Sequence, residues 1–349
     1  MIRLWDTDIA WCADAVADQI RTGRIGCGAV VEEFERKICE VHRVKHCIAT
    51  TSGTTALLLS LMALDLPASS TVAFPAYGML AGANAARLLG LNVRLIDVEP
   101  YVGMMTGNSP ATTLDGCAGC IYINNNTARC SDWGDSAMHS CKDRAIPIIE
   151  DACQTFGIMT SGIRGDLATF SFSPQKLATT GQGGAVITND EFLASRVREL
   201  VDHGGDWRGD RIHKRIGGNF RFNDVSARLG LCQLNALPSL LARRQEIRRQ
   251  YREFLPAIDE RDGWCVTYRC ERAAELVTFL AAKHIEAGMP YPPNYRHAPY
   301  RCRGSFPGAD AHYNSTVYLP SHLKMTKETV SLVCEAILEF EAAGKMVSA

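Results

Sequence analysis

The chain has 349 residues, of which 46% are hydrophobic, and its 37 Lys and Arg against 38 Asp and Glu give a formal net charge of -1. This length and apolar content allow a sizeable core and predict two domains, while the balanced charge gives no reason to expect nucleic acid or another polyanion as a partner. No apolar run reaches the roughly 18 residues of a membrane span, and the N-terminus lacks a signal-peptide pattern, so we expect a soluble cytoplasmic protein without membrane contact.

Strand-like and helix-like segments alternate through the first two thirds of the chain. Predicted helices cover residues 54–64, 81–89 and 191–202, and predicted strands cover residues 71–74, 92–97, 120–123, 146–151, 167–172 and 185–188. This alternation predicts an α/β fold in which helices cover both faces of a mostly parallel sheet.

The pattern changes near residue 223. Beyond it we predict two long helices, over residues 223–237 and 239–254, which are separated at Pro238. A weak strand over residues 265–269 and a helix over residues 272–287 follow. The chain then forms a loop rich in Pro, Tyr and Arg over residues 289–307 and a final helix from Thr326. We therefore predict a large domain over residues 1–240 and a small C-terminal α+β domain over residues 241–349.

The 14 cysteines are scattered along the chain without the dense spacing of a disulfide-rich secreted domain. Four of them are close in sequence and could bind zinc: Cys117, Cys120, Cys130 and Cys141. Because Cys117 and Cys120 flank an apolar segment (CIYI) that is typical of a strand, we favour buried thiols and predict no metal.

Residues 51–57 (TSGTTAL) open a helix with a glycine and small hydroxyl-bearing residues. The free N–H groups of a helix start can bind phosphate, and the hydroxyls of Ser52, Thr54 and Thr55 could add donors. An ordinary helix cap is the alternative interpretation.

Residues 148–154 (IIEDACQ) end an apolar strand with an acidic pair. In open α/β sheets ligands bind beyond the carboxyl ends of strands, so Asp151 could face the ring nitrogen of a bound cofactor. A carboxylate that caps the next helix is the simpler alternative.

Residues 169–184 (TFSFSPQKLATTGQGG) place Lys176 between an aromatic strand and a glycine-rich turn. Partial burial lowers the pKa of a lysine, which makes Lys176 a candidate Schiff-base nucleophile. Gly181, Gly183 and Gly184 would let the backbone pass close to a ligand. Residues 217–224 (GGNFRFND) predict by themselves only a loop and a helix start that Asn223 or Asp224 could cap.

The four segments occur together and in this order, and with them the chain resembles the DegT/DnrJ/EryC1/StrS family of sugar aminotransferases. That family carries an SGT-x-AL loop, an IEDAAQ strand end, an FSF-x-x-x-K segment followed by T-x-GxGG, and a GxNxRM-x-D loop. The resemblance extends from a helix near Phe34 to at least Leu237 and recovers at residues 291–293 (YPP) and 319–322 (LPSH). It implies fold type I, with a seven-stranded type of sheet in the large domain.

The resemblance implies that pyridoxal 5'-phosphate (PLP) is the cofactor. Lys176 would hold it as a Schiff base and then move the proton between the substrate Cα and the cofactor C4′. Asp151 would pair with the pyridinium, and Gln154 would lie near the phenolic oxygen of the ring. Ser171 would bind the phosphate together with the turn formed by Gly53, Thr54 and Thr55.

The resemblance also implies partners. Asn219 would reach the phosphate in the neighbouring subunit, so a homodimer would be the functional unit. L-Glutamate would donate its amino group to a nucleotide-linked keto-sugar, for a surface polysaccharide or a secondary metabolite, or in some members to a carbocyclic ketone.

Three segments depart from the family pattern. Residues 75–79 (PAYGM) place Met79 where the family has an aromatic residue that stacks on the cofactor ring; a thioether can also pack on a ring, and Tyr77 could substitute. Residues 121–127 (IYINNNT) replace a His-Leu-Tyr-Gly type of segment, and residues 289–292 (MPYP) replace the family's HYP. Since the last two regions help to form the substrate side of the site, we expect an unusual substrate.

Other functions compete with this one. A catalytically inactive or regulatory PLP-fold protein is the first alternative, and sugar dehydration is disfavoured because such relatives replace the lysine with histidine. Nucleic-acid binding could rest on Arg243, Arg244, Arg248, Arg249 and Arg252, but Glu246 and Glu253 among them are more typical of a solvated face or a dimer rim. The chain has neither a Walker A sequence nor a Rossmann fingerprint.

Overall fold

The computed structural model describes residues 1–105, 114–124, 132–158, 162, 164–205, 212–256, 258, 264–302 and 304–347. A seven-stranded sheet lies at the centre of the larger part. Its strands are β1 (His46–Thr50), β2 (Thr71–Pro75), β3 (Asn92–Ile96), β4 (Cys117–Ile123), β5 (Ile148–Asp151), β6 (Leu167–Ser171) and β7 (Gly184–Thr188).

The strand order is β1-β7-β6-β5-β4-β2-β3, and among these strands β7 alone runs opposite to the other six. Most positions in the central strands are buried, which is typical of a parallel sheet covered on both faces. The predicted α/β class and the mostly parallel sheet are confirmed.

Helices pack on both faces of this sheet. They are α1 (Ala13–Arg21), α2 (Ala29–His42), α3 (Gly53–Leu64), α4 (Ala81–Leu88), α5 (Asp132–Lys142), α6 (Glu191–Val201), α7 (Asp224–Asn235) and α8 (Leu237–Phe254). Successive residues of a strand face opposite sides. In β7, Val186 accordingly packs with α3, α4 and α6, whereas Ala185 and Ile187 pack with α2 and α7.

The C-terminal part has its own small sheet and core. Strand β8 (Val266–Arg269) pairs antiparallel with β9 (Thr316–Leu319), and helices α9 (Ala273–Ala282), α10 (Pro307–Ser315) and α11 (Lys327–Val347) surround them. Helix α8 contacts both parts, because Leu240 packs on the cluster beneath the large sheet while Ile247 and Tyr251 belong to the C-terminal core. The domain boundary near Leu240 stays a prediction.

Several elements differ from the sequence expectations. The sequence interpretation missed two strands, β1 and β9, and three helices, α1, α5 and α10. Helices α7 and α8 are separated at Ala236, and Pro238 lies in the first turn of α8, where a missing N–H is tolerated. The helix expected to reach residue 287 ends at Ala282, and His284 then adopts a left-handed φ of 60°.

The cysteines near β4 are buried thiols. Cys117 and Cys120 lie in β4 and Cys141 lies in α5, and all three belong to one apolar cluster; Cys130 lies outside the described residues. Across the described ranges, no three His, Cys, Asp or Glu side chains are grouped closely enough to hold a metal ion. In the same part of the chain, no helix is both long and apolar enough to cross a membrane.

Candidate active site

The sequence motifs meet at one edge of the large sheet. The parallel strands β1, β6 and β5 end there at Thr50, Ser171 and Asp151, and β7 begins there because it runs the opposite way. In the strand register Gly184 pairs with both Thr50 and Ser171, and Asp151 pairs with Thr169 on β6. The carboxyl ends of parallel strands are where ligands bind in open α/β sheets.

The helix start at α3 forms a cradle for an anion. Ser52 caps the helix, and its Oγ accepts a hydrogen bond from the Thr55 N–H at 3.1 Å. Gly53 is buried against β6, where a Cβ atom at its position would lie 2.9 Å from the Cβ of Ser171. Thr54 is exposed at the first turn. The N-terminus of this helix therefore lies beside Ser171, and a helix N-terminus with a nearby hydroxyl is suited to binding phosphate.

The glycine-rich turn after Lys176 is built for close backbone contact. A Cβ atom at Gly183 would lie 2.3 Å from the Thr180 hydroxyl, and one at Gly184 would lie 2.4 Å from the carbonyl of Ser52. Gly181 adopts a φ of 77°, which favours glycine. These glycines let β7 begin directly beside the cap of α3.

Asp151 is a buried carboxylate at the end of β5. Its Oδ1 accepts a hydrogen bond from the Cys153 N–H at 3.1 Å. Burial raises the pKa of Asp151, while its hydrogen bonds with Cys153 and the nearby positive charge of Lys176 act in the opposite direction. A cationic ring N–H in the cavity would compensate the burial of this charge, so the carboxylate suits a pyridinium partner.

Lys176 follows a turn in which its N–H donates to the Ser173 carbonyl at 3.0 Å. Its side chain is partly buried, and its Nζ lies 4.1 Å from the centroid of the Trp264 ring. Burial lowers the pKa of Lys176, and interactions with the neighbouring Cys153 and Asp151 partly offset this effect. A lysine with a lowered pKa beside a buried carboxylate is suited to nucleophilic attack on an aldehyde.

Gln154 provides a direct test of whether a polar cofactor fits. Its Oε1 is buried and has no hydrogen-bond partner among the described residues. A buried amide oxygen without a partner costs free energy, so a polar ring substituent in this cavity would be stabilised by Gln154. Together with the helix start and Asp151, this side chain matches the three polar regions of PLP.

Comparison with known proteins identifies the family. The chain matches the DegT/DnrJ/EryC1/StrS aminotransferase family over residues 9–338. It belongs to this family. The aminotransferase is 27% identical to GDP-perosamine synthase of Escherichia coli, with 90% of each chain covered. It is 33% identical to UDP-4-amino-4,6-dideoxy-N-acetyl-beta-L-altrosamine transaminase of Campylobacter jejuni, with 70% of this chain and 66% of that protein covered.

A solved structure agrees with this assignment. The crystal structure of S. venezuelae DesV in complex with a ketimine intermediate is 25% identical, has a TM-score of 0.86, and matches 95% of this chain and 94% of that chain. The family consists of PLP-dependent aminotransferases of fold type I, which confirms the fold class, the enzyme class and the cofactor.

The segment after β2 is where this aminotransferase departs most clearly from its family. Met79 lies beyond Gly78, which has a φ of 128°, and its side chain is 50% exposed. Tyr77 is buried, its hydroxyl lies 2.8 Å from the Tyr318 hydroxyl, and its ring contacts His312 at a centroid distance of 4.4 Å. Tyr77 therefore joins the large sheet to the C-terminal part, whereas Met79 is half exposed.

The polar residues in and just after the loop before α7 make different contacts. Asn219 is exposed, and its Oδ1 accepts from Arg221 Nε at 3.0 Å. Asn223 caps α7, as the sequence suggested. Asp224 instead accepts from the N–H groups of Gly28 and Val31, both at 3.0 Å, so this aminotransferase uses it to cap α2.

The first asparagine of the segment that departs from the family's His-Leu-Tyr-Gly pattern is also structural. Asn124 donates from Nδ2 to Glu150 Oε1 at 3.0 Å, and its N–H donates to the Asp151 carbonyl. Residues 125 and 126 of this segment lie outside the described residues. Asn124 therefore supports the strand end that carries Asp151.

The arginines of α8 do not form one exposed cationic face. Arg249 pairs with Glu246 and Glu253 on the same helix, and Arg248 is buried and donates to the Cys265 carbonyl at 3.1 Å. Arg243 donates to backbone carbonyls near β9. These side chains mainly hold α8 against the C-terminal part.

Several residues of the site were not found from the sequence. Trp264 contacts Lys176, and the charge of Arg244 adds to the effect of burial in lowering the pKa of Lys176. Burial raises the pKa of Tyr291 to about 12, with a contribution from the Asp151 charge. Trp264 and Arg244 come from two distant segments, and no local motif marks them as part of the site, whereas Tyr291 belongs to the segment 289–292 (MPYP) that the sequence assigned to the substrate side.

Proposed function

We propose that the protein transfers the amino group of L-glutamate to a nucleotide-linked keto-sugar. The relatives are nucleotide-sugar aminotransferases by name, which supports a role in amino-sugar biosynthesis. The observation that carries the proposal is the placement of Lys176 and Asp151 beside the start of α3, at one edge of the sheet.

Different residues of the chain would bind different parts of the cofactor. Ser171 and the N–H groups of Gly53, Thr54 and Thr55 would hold the phosphate, because the helix start offers both donors and a positive potential. Gln154 would lie near the phenolic oxygen of the ring, where its Oε1, which has no partner among the described residues, could accept the hydrogen bond of the ring hydroxyl. Met79 would pack on a ring face through its polarizable thioether.

The chemical roles would belong to Asp151 and Lys176. PLP, when bound, supplies an electron sink for charge that develops at the substrate Cα. Asp151 would hold a proton on the ring nitrogen, since a buried carboxylate favours a positively charged partner. Lys176 Nζ would remove a proton from the substrate Cα and deliver it to the cofactor carbon, and burial favours this role because it lowers the pKa of Lys176 and so favours the neutral amine.

We also propose a homodimer in which Asn219 reaches the cofactor phosphate of the neighbouring subunit. Asn219 is exposed on a segment that also carries Ile216, which is 91% exposed, and Ile212, which is 61% exposed. Exposed apolar side chains grouped in this way are typical of subunit interfaces. The cytoplasmic location stays a prediction.

Absorption spectra of the purified chain test the first half of this function. After PLP is added, we expect a visible band that disappears with L-glutamate as 2-oxoglutarate is released. The band should be absent in Lys176→Ala and unchanged in Lys283→Ala, whose lysine pairs with Glu339 on the surface. A band that never forms, or one that persists without Lys176, would contradict the assignment of the lysine.

The acceptor can then be identified with the same signal. Enzyme whose cofactor has been converted to the amine form by glutamate is mixed with UDP-linked keto-sugars, GDP-linked keto-sugars or a carbocyclic ketone. Return of the visible band identifies an acceptor. Recovery with the carbocyclic ketone alone would refute the nucleotide-sugar proposal and leave the aminotransferase assignment intact.

A further inference from the structure

The indole ring of Trp264 lies between Lys176 and Trp5. The Nζ of Lys176 lies 4.1 Å from the centroid of the Trp264 ring. The ring of Trp5 is stacked on Trp264 with centroids 4.5 Å apart and an angle of 7° between the planes. Trp264 thus contacts the amine of the candidate cofactor lysine with its ring and is stacked against the N-terminal segment.

Independent contacts fix the orientation of this ring. Trp264 Nε1 donates to the carbonyl of Gln175, the residue before Lys176, at 2.9 Å, and the side chain is 5% exposed. The segment that carries Trp5 is tied to the same loop, because the Thr7 hydroxyl donates to the Pro174 carbonyl at 2.8 Å. The ring therefore lies in a defined position relative to the lysine segment before any ligand binds.

We propose that Trp264 is a positioning residue that receives the protonated amine of Lys176 whenever that amine is not bonded to the cofactor. This inference rests on the proposed role of Lys176 as the cofactor lysine. The amine of Lys176 is not bonded to the cofactor at two stages: before the cofactor binds, and while the cofactor carries the amino group. Trp5 would keep the indole face turned toward the lysine.

The physical basis is the attraction between a cation and the negative face of an indole. This attraction stabilises the ammonium form over the neutral amine, and burial strengthens it. It therefore opposes the effect of burial on the pKa of Lys176. Other charged and titratable groups act on the same amine or line the same cavity: Asp151, Cys153, Cys265, Arg244, Asp6, Asp8 and His322.

The pH dependence of cofactor uptake tests this role without any turnover. In the cofactor-free chain, the rate at which the visible band appears after PLP is added should rise as Lys176 loses its proton. We expect the midpoint of this rise to fall by about one pH unit in Trp264→Leu and by less in Trp264→Phe, which keeps an aromatic ring. Trp5→Leu should shift it in the same direction, because the indole loses its support.

Trp11→Leu is the matched control, since Trp11 lies on the same N-terminal segment but is half exposed and donates to the Asp8 carbonyl. Its midpoint should equal that of the unmodified chain. Simple opening of the cavity to water would hydrate the ammonium and raise the midpoint, so the sign of the shift separates the two effects.

A midpoint that is unchanged or raised in both Trp264 variants would overturn the inference while leaving the function intact, provided that the band still requires Lys176. Absence of a Lys176-dependent band in the unmodified chain would refute the proposed function and this inference with it. If Trp264→Leu does not fold, Trp264→Phe and Trp5→Leu give the same comparison.

Discussion

Gly184, the first residue of β7, touches the backbone of Ser52, the residue that caps α3. A Cβ atom at Gly184 would lie 2.4 Å from the carbonyl carbon and oxygen of Ser52 and 2.6 Å from the Gly53 nitrogen. The helix start that we assign to the phosphate is therefore held in place by the strand next to Ser171. Two motifs that are far apart in the printed sequence form one contact.

Gly184→Ala should weaken PLP binding by about tenfold or more and destabilise the fold by ~1–3 kcal/mol, because the added methyl would displace the backbone of Ser52 and Gly53. Titration with PLP and thermal unfolding measure the two effects. Gly26→Ala is the control, since no atom lies within 4 Å of a Cβ at Gly26. Full PLP affinity in Gly184→Ala would show that this contact does not shape the phosphate site.

Asp151→Asn should abolish most transamination while it stabilises the cofactor-free protein. Asparagine keeps an oxygen for the Cys153 N–H but cannot hold the ring proton, so we expect kcat to fall by about a hundredfold or more. Steady-state rates with glutamate as donor measure this loss. Unchanged rates would remove Asp151 from the proposed role.

The stability effect of the same substitution has a defined pH dependence. Burial raises the pKa of Asp151 in the folded chain above its ordinary value of 3.8, so the folded state binds more protons and loses stability as the pH rises from that value through the raised pKa. The asparagine amide does not titrate, so the stability of the variant should rise relative to that of the parent chain across that window. Denaturant unfolding of the cofactor-free proteins between about pH 4 and neutrality tests the sign.

Met79→Phe should strengthen PLP binding. An aromatic ring at this exposed position could stack on the cofactor and add ~0.5–1.5 kcal/mol, or roughly two- to twelvefold in affinity. Met79→Leu serves as the control for size without a ring. If phenylalanine and leucine give the same affinity in a PLP titration, Met79 does not occupy the stacking position.

Asp224→Ala should destabilise the protein without changing the cofactor spectrum. The substitution removes the acceptor for the N–H groups of Gly28 and Val31, and loss of a helix cap costs about 0.5–2 kcal/mol. Denaturant unfolding measures the cost, and the visible band reports the cofactor. A changed band with unchanged stability would give Asp224 a direct role at the site instead.

Mixing two inactive variants tests the position of Asn219. In a hybrid dimer of Lys176→Ala and Asn219→Ala, one site would combine Lys176 of one subunit with Asn219 of the other. Random exchange of an equal mixture should therefore restore about a quarter of the activity of the unmodified chain. If Asn219 acted within its own subunit, exchange would create no complete site. The activity of the mixture would then be half that of the same total amount of the Asn219→Ala homodimer.

The sequence was most informative where a motif is local. The hydroxyl-rich helix start at Gly53, the acidic strand end at Asp151 and the glycine-rich turn after Lys176 each combine a backbone conformation with a side chain within a few residues. Backbone N–H groups and strand ends have fixed directions, so such segments indicate chemistry without further packing information. The family resemblance added the roles that physical reasoning about each segment left open.

Contacts between distant segments could not be predicted in this way. Trp264 donates to the residue before Lys176 across 89 positions of sequence, and nothing in the residues around Trp264 marks it as part of the site. The partner of Asp224 could not be predicted from the sequence either. Asp224 lies in a family motif, yet it caps a helix that begins at Ala29. Side-chain partners of this kind depend on how α8 and the small sheet pack against the large one.

The sequence by itself therefore determined the α/β class, the order of the motifs and the candidate residues Lys176, Asp151 and Gly53. These follow from hydrophobic periodicity and local backbone geometry, which act over a few residues. The tertiary structure decided that the start of β7 packs against the residue that caps α3, that Tyr77 joins the two parts of the chain, and that Trp264 contacts Lys176. Those relationships arise from close packing between elements, whose free energy depends on which surfaces meet rather than on which residues are neighbours in sequence.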